Sequence, residues 1–474
     1  MLANHTWNKQ TVYLLGACVV LAGAIGAASG LSPQMVPVII GALCIPFLLM
    51  LPVDRFLLLI ALCIFIDRSF LSVGGSYIRI YQVLFLFMTL KFALEMVYQK
   101  REVYHTPLFL LINLWVGSYF LSYFHVLNYT DFWTVVIGQL FLNLFFFLSV
   151  QVIYDKGEPF FQKIVKYSIL SGIIVAAVGL LQMAGFFVGL DIGISHYEHI
   201  GIPRPSSFAH EPDWYGLFCG YAAAWLLVLY LYNHTALFSQ WFIRIALVLT
   251  CLGVLVSMAR AAILALAVAG LFLFFVTKGK RLVRFTILTA IGGMILAGGV
   301  FVTHPEIGTS VYQRMNPLTS LETDSGAADS RVASIQMMVD HIVLHPIVGN
   351  GSGGMAELSQ MQEMRDKYIH GGELNEGKGN ANIFLTVLFD TGVIGLVIFL
   401  LIIGRLIQMM REMYSKQDFI PLGLAAASVV ILVDFNFNNG FRMGFVWFHL
   451  AMIAAYYMLY KRKHFEKRMK KVEG

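Results

Sequence analysis

Charge is what this 474-residue chain has least of: 13% of its residues are charged and 58% are hydrophobic. A soluble domain carries about a quarter charged residues, so a soluble enzyme, a nucleic-acid binder and a disordered scaffold are all excluded. Cysteine is also scarce. The five (Cys18, Cys44, Cys63, Cys219 and Cys251) lie inside apolar runs without metal-ligand spacing, as packing residues do rather than disulfides or ligands. The hydrophobic segments lack polar–apolar alternation, which excludes a transmembrane β-barrel. No internal repeat and no low-complexity tract interrupts them.

Continuous apolar runs fill the chain instead. Runs near the length that crosses a bilayer, about 20 residues, occur near 11–30, 34–52, 80–98, 106–124, 131–154, 162–188, 212–232, 241–258, 260–277, 282–303, 381–411, 417–435 and 441–460, with a shorter one at 55–66. They predict an all-α polytopic membrane protein with about 12–14 transmembrane helices. The first run reads as a span rather than a cleavable leader, because no basic n-region precedes it and a second run follows closely.

Lys and Arg (33) exceed Asp and Glu (27), for a net charge of +6, but their placement matters more. Alternate loops carry Lys100 and Arg101; Lys156, Lys163 and Lys166; Arg244; Lys278, Lys280, Arg281 and Arg284; Arg411 and Lys416; and the tail from Lys461 to Arg468. These ends are expected to be cytoplasmic, with the N-terminus inside. The expected organisation is a membrane domain over 1–303 with an outer loop at 189–211, an extracytoplasmic helical lid at 304–379, further membrane helices over 380–460 and a basic cytoplasmic tail over 461–474. The tail would bind anionic lipid.

Arginines at the outer ends of apolar runs are the most informative residues. An unpaired guanidinium inside a membrane costs about 3 kcal/mol on insertion scales, so each predicts an anionic partner. Arg204 lies in Ile202-Pro203-Arg204-Pro205-Ser206-Ser207-Phe208-Ala209-His210-Glu211-Pro212, Arg260 ends Ser257-Met258-Ala259-Arg260, and Arg442 follows Asn436-Phe437-Asn438-Asn439-Gly440-Phe441. One reading is structural pairing with Glu211, Asp213 or Asp434, or snorkelling to headgroups. The other is a site for a dianionic ligand such as a diphosphate, whose oxygens suit the two-pronged guanidinium. His210 beside Glu211 can serve as a general base near neutral pH. The same acids, with Asp213, equally suit the start of a helix behind Pro212. His196 and His199 read as surface residues.

Residues 329–346 predict a helix with an apolar stripe at 332, 335, 339, 342 and 343, opened by a capping Asp or Ser and ended by Pro346. It is expected to pack over the membrane domain as a lid or interfacial helix. His341 and His345 are four apart, a metal-compatible spacing, but no third ligand has an evident place and no metal or other cofactor is expected. Gly349-Asn350-Gly351-Ser352-Gly353-Gly354 matches G-x-G-x-x-G literally. No strand precedes it, so a glycine-rich turn closing the lid helix is the better reading.

Together these motifs resemble the bacterial O-antigen ligase and O-antigen polymerase family, which includes exopolysaccharide and teichuronic acid polymerases. The resemblance runs from about residue 200 onward. It rests on the arginine loop at 204–212, the Ser257–Arg260 turn, the lid ending His345-Pro346-Ile347-Val348-Gly349-Asn350-Gly351, and the span opening Asn380-Ala381-Asn382-Ile383-Phe384-Leu385 and reaching Asp390-Thr391-Gly392-Val393-Ile394-Gly395. It implies a GT-C-like, metal-independent glycosyltransferase in the bacterial cytoplasmic membrane, with its site facing outward. The donor would be a glycan on undecaprenyl diphosphate and the acceptor a second glycan, with the flippase and chain-length regulator of the pathway as possible partners. Arg204 and Arg260 would grip the diphosphate. Arg331, Asn382 and Arg442 are further substrate-binding candidates, and His210, Glu211 and His345 are candidates for the base. The family's ligases place a catalytic His before that Asn, and Ala381 stands there here, which favours polymerase over ligase. A flippase or transporter of a lipid-linked sugar is the rival from another class.

Overall fold

The computed structural model describes residues 50–473 except 69–70, 74–75, 191, 194–195, 198–202, 236, 278–324, 362–381, 416–417 and 439. The expected spans at 11–30 and 282–303, most of that at 34–52, and the lid segments at 304–324 and 362–379 lie outside the described residues, as do His199 and Ala381.

The described helices are α1 (Val53–Cys63), α2 (Ile80–Gln99), α3 (Phe109–Leu121), α4 (Tyr129–Lys156), α5 (Glu158–Phe187), α6 (Pro212–Tyr232), α7 (Gln240–Val256), α8 (Arg260–Thr277), α9 (Ser325–Ile342), α10 (Gly354–Gln360), α11 (Ile383–Met413), α12 (Phe419–Asp434) and α13 (Gly444–Glu473). Two short antiparallel ribbons pair β1 (Leu71–Val73) with β2 (Ser76–Ile78), and β3 (His196–Tyr197) with β4 (Pro203–Arg204). Six helices (α2, α4, α5, α6, α8 and α11) are long and apolar enough to cross a membrane, and α7 and α12 are shorter apolar helices. The protein is a helical, multi-pass membrane protein, as its hydropathy predicted. The run expected to span over 106–124 forms only the 13-residue α3, about 20 Å long at 1.5 Å per residue. A left-handed Leu108 precedes it and a 3₁₀ turn at Tyr123–His125 follows.

The described residues form two compact units, one of 50–57 and 69–102, the other of 58–68 and 103–473. In the first, Arg101 closes the end of α2 by pairing with Glu95 at 2.7 Å and covering the Phe92 ring. The second unit holds all the candidate site residues.

Its centre is α6, buried on every side from Tyr215 to Leu229 and surrounded by α5, α7, α8 and α12. A helix apolar all round belongs in such a place. Close approach depends on small residues: a Cβ at Gly172 would meet the Ala222 Cβ at 2.5 Å, and one at Gly423 would meet the Trp225 ring at 2.2 Å. Small residues at helix crossings are how membrane helices gain contact when lipid supplies no hydrophobic drive. One polar chain crosses this core. Ser428 Oγ lies 2.9 Å from the Leu424 carbonyl and 2.8 Å from His449 Nε2, while Tyr221 Oη lies 3.0 Å from His449 Nδ1. With Ser428 donating to the carbonyl, Nε2–H donates to Ser428 and Tyr221 donates to Nδ1, so a neutral imidazole is fully partnered.

The helices define two ends. Lys461 pairs with Glu412 at 2.8 Å and Lys463 with Glu158 at 3.2 Å, joining α13 to the last turn of α11 and the first turn of α5. The basic segment expected as a tail continues α13 as helix to Glu473. At the opposite end meet the start of α6, the turn between α7 and α8, the end of α12 and the starts of α11 and α13.

The helix expected over 329–346 is present as α9, ending at Ile342; Ile342 of its expected stripe packs against the buried cluster, but other members of the stripe face outward. Ile335, Val339 and Val343 are exposed, whereas Ala333, Ser334, Met337 and Met338 are buried. Met337 and Met338 pack with Met355, Leu358 and Phe389. Flexible, polarizable methionines fill the irregular gap against α10 and α11 instead.

Candidate functional site

The arginine loop at 204–211 is held from two sides, by residues 67–68 and by α5. The Phe208 carbonyl accepts from the Asp67 and Arg68 amides at 3.1 and 2.7 Å. The Ser207 amide donates to Gln182 Oε1 at 2.8 Å, and its hydroxyl donates to the Val175 carbonyl at 2.7 Å. Ser207 has φ 52, a left-handed conformation uncommon outside glycine, kept in place by these anchors. The loop therefore presents Arg204 from a fixed backbone. Arg204 Nε donates to the Ser257 carbonyl at 3.0 Å and Nη2 to Asp213 Oδ1 at 2.7 Å. One guanidinium thus joins the first turn of α6 to Ser257, the C-cap of α7.

The Ser257–Arg260 turn is equally constrained. Met258 has φ 52, the Ser257 hydroxyl accepts from the Ala259 amide at 3.1 Å and donates to the Val254 carbonyl at 2.7 Å. Gly216 lets α6 approach, since a Cβ there would sit 2.6 Å from Ser257 Oγ. Arg260, the first residue of α8, is exposed. Arg204 and Arg260 therefore lie at the same turn, one bonded to its first residue and the other forming its last. Asp434, fully buried at the end of α12, accepts from Asn438 Nδ2 on both oxygens at 3.2 Å and is in electrostatic reach of Asp213. His210 is exposed and Glu211 half-buried, on the rim just before α6.

A second cluster lies around a break in α11. Gly392 (φ 65, ψ −167) interrupts the helix, and the glycine-rich segment after α9 crosses the gap. Asn350 and Gly351 amides donate to the Phe389 and Asp390 carbonyls at 2.8 and 3.1 Å, and the Val393 and Ile394 amides donate to the Pro346 and Ile347 carbonyls at 2.9 and 3.3 Å. Groups orphaned on both sides of the break are capped by one strand of chain. The segment also closes α9, as expected, because Asn350 Nδ2 donates to the His341 carbonyl at 3.0 Å. Arg442 Nη2 donates to Asp390 Oδ2 at 2.7 Å, and Ser352 Oγ donates to the same oxygen at 3.1 Å. The turn at 434–442 connects the clusters, with the Ile383 amide donating to the Phe435 carbonyl at 2.9 Å.

The structure thus brings Arg204, Arg260, His210, Glu211, Asn382 and Arg442 to one end. Of the acids expected as partners, Asp213 takes Arg204, while Arg442 takes Asp390. Sequence reasoning assigned no role to Asp390 or Ser352. A carboxylate inside an apolar run was the available signal for Asp390; Ser352 had none. Arg331 lies on α9, with its side chain outside the described residues. Asn382 caps α11, its side chain accepting from the Leu385 amide at 2.8 Å. Asn382→Ala is therefore expected to cost about 1 kcal/mol of stability, read as a lower unfolding temperature in detergent.

His345 stacks on His125 with ring centroids 3.8 Å apart, and His341 Nδ1 lies 2.8 Å from the Met337 carbonyl. Burial, then the nearby His125, lowers the His345 pKa below the ordinary value. The folded state thus favours neutral His345, so docking of this segment weakens as pH falls from about 6.5, the free-histidine value. Proteolysis within 345–353 should accelerate on acidification through that range, and His345→Gln should flatten the response. An unchanged profile in that variant would rule His345 out as the titrating group.

Residues 245–400 match the family model described as O-antigen ligase (Wzy_C). The match includes the Ser257–Arg260 turn, α9, the glycine-rich segment and the broken part of α11. No curated protein matches the chain.

Proposed function

We propose, from the O-antigen ligase domain at residues 245–400, that this membrane protein is a glycosyltransferase polymerising glycan units carried on undecaprenyl diphosphate. The observation that carries this reading is the pairing of Arg204 with the Ser257 carbonyl, beside Arg260. Two guanidinium groups at one rigid turn suit a diphosphate, the group a polyprenyl carrier presents at the membrane surface. The positive-inside distribution supports an outward-facing site in a bacterial cytoplasmic membrane.

In the proposed step the acceptor hydroxyl attacks the anomeric carbon in line. The carbon–oxygen bond to the diphosphate breaks, a new glycosidic bond forms, and undecaprenyl diphosphate departs with the bonding pair. Arg204 and Arg260 stabilise the charge that develops on it, and no divalent metal is required for that task. The acceptor proton passes to His210 or Glu211 on the rim, with His345 as the reserve. Arg331, Asn382 and Arg442 are proposed to contact the carrier or acceptor. The segment 304–379, of which α9 and α10 are described, is proposed as the lid, and the flippase and chain-length regulator of the same pathway are the proposed partners.

The helix break bears on the transporter alternative. Carriers place broken helices and substrate near the midplane. Here the segment bridging the break in α11 and the arginines at 204, 260 and 442 gather toward one end of the helices rather than around their middle, which favours an interfacial enzyme.

Deleting the gene and complementing it tests the reading. A ladder of polysaccharide lengths that disappears on deletion and returns with the gene identifies a polymerase. Loss of a single transfer to lipid or wall, with the ladder intact, identifies a ligase. Export of lipid-linked sugar without a new glycosidic bond would overturn both.

A further inference from the structure

One carboxylate links the exposed arginine of the second cluster to the segment that fills the helix break. Asp390 lies on the last turn before Gly392. Its carbonyl accepts from the Gly351 amide, and its Oδ2 accepts from both Ser352 Oγ and Arg442 Nη2. The Asp390 side chain is 6% exposed and that of Arg442 38%. Tyr119, on α3, is in hydrogen-bonding reach of Arg442 and Ser352. An arginine has five N–H donors, and the pair with Asp390 engages Nη2 alone, leaving a half-exposed guanidinium oriented by a buried anion.

We infer that Asp390 is a positioning residue that orients Arg442 toward the phosphorylated carrier and couples this guanidinium to the loop at Gly349–Ser352. The inference rests on the carrier reading given above. A buried carboxylate is stable only while paired and hydrogen-bonded. If phosphate oxygens draw the guanidinium toward them, the Asp390 oxygen loses part of its cationic partner and Ser352 must reorganise around it. Coupling of this kind is reciprocal: whatever carrier binding does to the loop, loop docking does to carrier affinity.

The test uses the full-length protein in nanodiscs with undecaprenyl diphosphate as the probe, reading its Kd and the amide exchange of residues 345–353. In the parent protein, the probe should change exchange in that segment about tenfold or more. Asp390→Asn should weaken binding about tenfold and abolish the exchange response. Ser352→Ala, which leaves the ion pair in place, should keep binding within about twofold yet blunt the response, and it decides the matter if Asp390→Asn does not fold. Parent-like binding and response in Asp390→Asn, or an undiminished response in Ser352→Ala, would overturn the inference. Binding lost in Arg204→Ala but unchanged in Asp390→Asn sinks this inference alone. No binding by the parent protein sinks the carrier reading and this inference with it.

Discussion

Arg204→Ala is expected to stop polymer growth while leaving the protein in the membrane at its normal level. Removing one preorganised contact to a developing anion costs about 3–4 kcal/mol, or two to three decades in rate. The substitution also leaves Asp213 without its cation at 2.7 Å, in electrostatic reach of buried Asp434, so the local field turns hostile to a diphosphate. Arg204→Lys should recover little. One ammonium cannot reproduce a planar group that reaches the Ser257 carbonyl through Nε and Asp213 through Nη2. Arg260→Ala should match the alanine variant at position 204. The measurement is the length distribution of surface polysaccharide in complemented cells, beside an immunoblot for the protein. Full-length polymer at normal abundance in both alanine variants would end the proposed mechanism.

Gly392→Ala should have the largest effect on stability. A backbone at φ 65, ψ −167 is close to glycine-only territory, which costs about 1–3 kcal/mol for any other residue. A Cβ there would also stand 2.3 Å from the Ile347 carbonyl oxygen, a contact with main chain that cannot move without undoing the cross-capping of the break. Gly349 faces it from the other side, with φ 82 and a Cβ that would meet the Asp390 carbonyl at 2.6 Å. Each substitution should lower stability by about 3 kcal/mol or more, read from thermal unfolding in detergent. The controls are Gly404→Ala and Gly270→Ala, where a Cβ meets nothing within 4 Å; helix propensity predicts a gain of up to about 1 kcal/mol there. Equal effects at all four positions would refute the steric account.

The membrane helices were legible because burial in lipid requires long, continuous apolar runs, and α2, α4 to α8, α11 and α12 begin and end within a few residues of those runs. The ion pair of Arg204 was legible because a guanidinium at a span's edge demands an anion, and Asp213 was among the expected partners. Three features were not. The inner face of α9 runs through Ala333, Ser334, Met337, Met338 and Ile342, a stripe at helical spacing that competes with the one through Ile335 and Val339, and only the shape of the gap opposite decides between them. The break in α11 leaves no trace in hydropathy, since the apolar run passes through Asp390-Thr391-Gly392 without interruption. The Arg442–Asp390 pair spans 52 positions, and only the fold brings such distant residues together.

The outward side of α9 carries a practical consequence. Ile335, Val339, Val343, Leu344 and Ile347 stand exposed along it and the turn that follows. A fragment excised around residues 325–361 for crystallisation or immunisation would carry this greasy flank into plain buffer, together with the methionines stripped of their partner Phe389. Such a fragment should precipitate or self-associate, and some antibodies raised against it would recognise the Met337 and Met338 face that the intact protein keeps packed on Phe389.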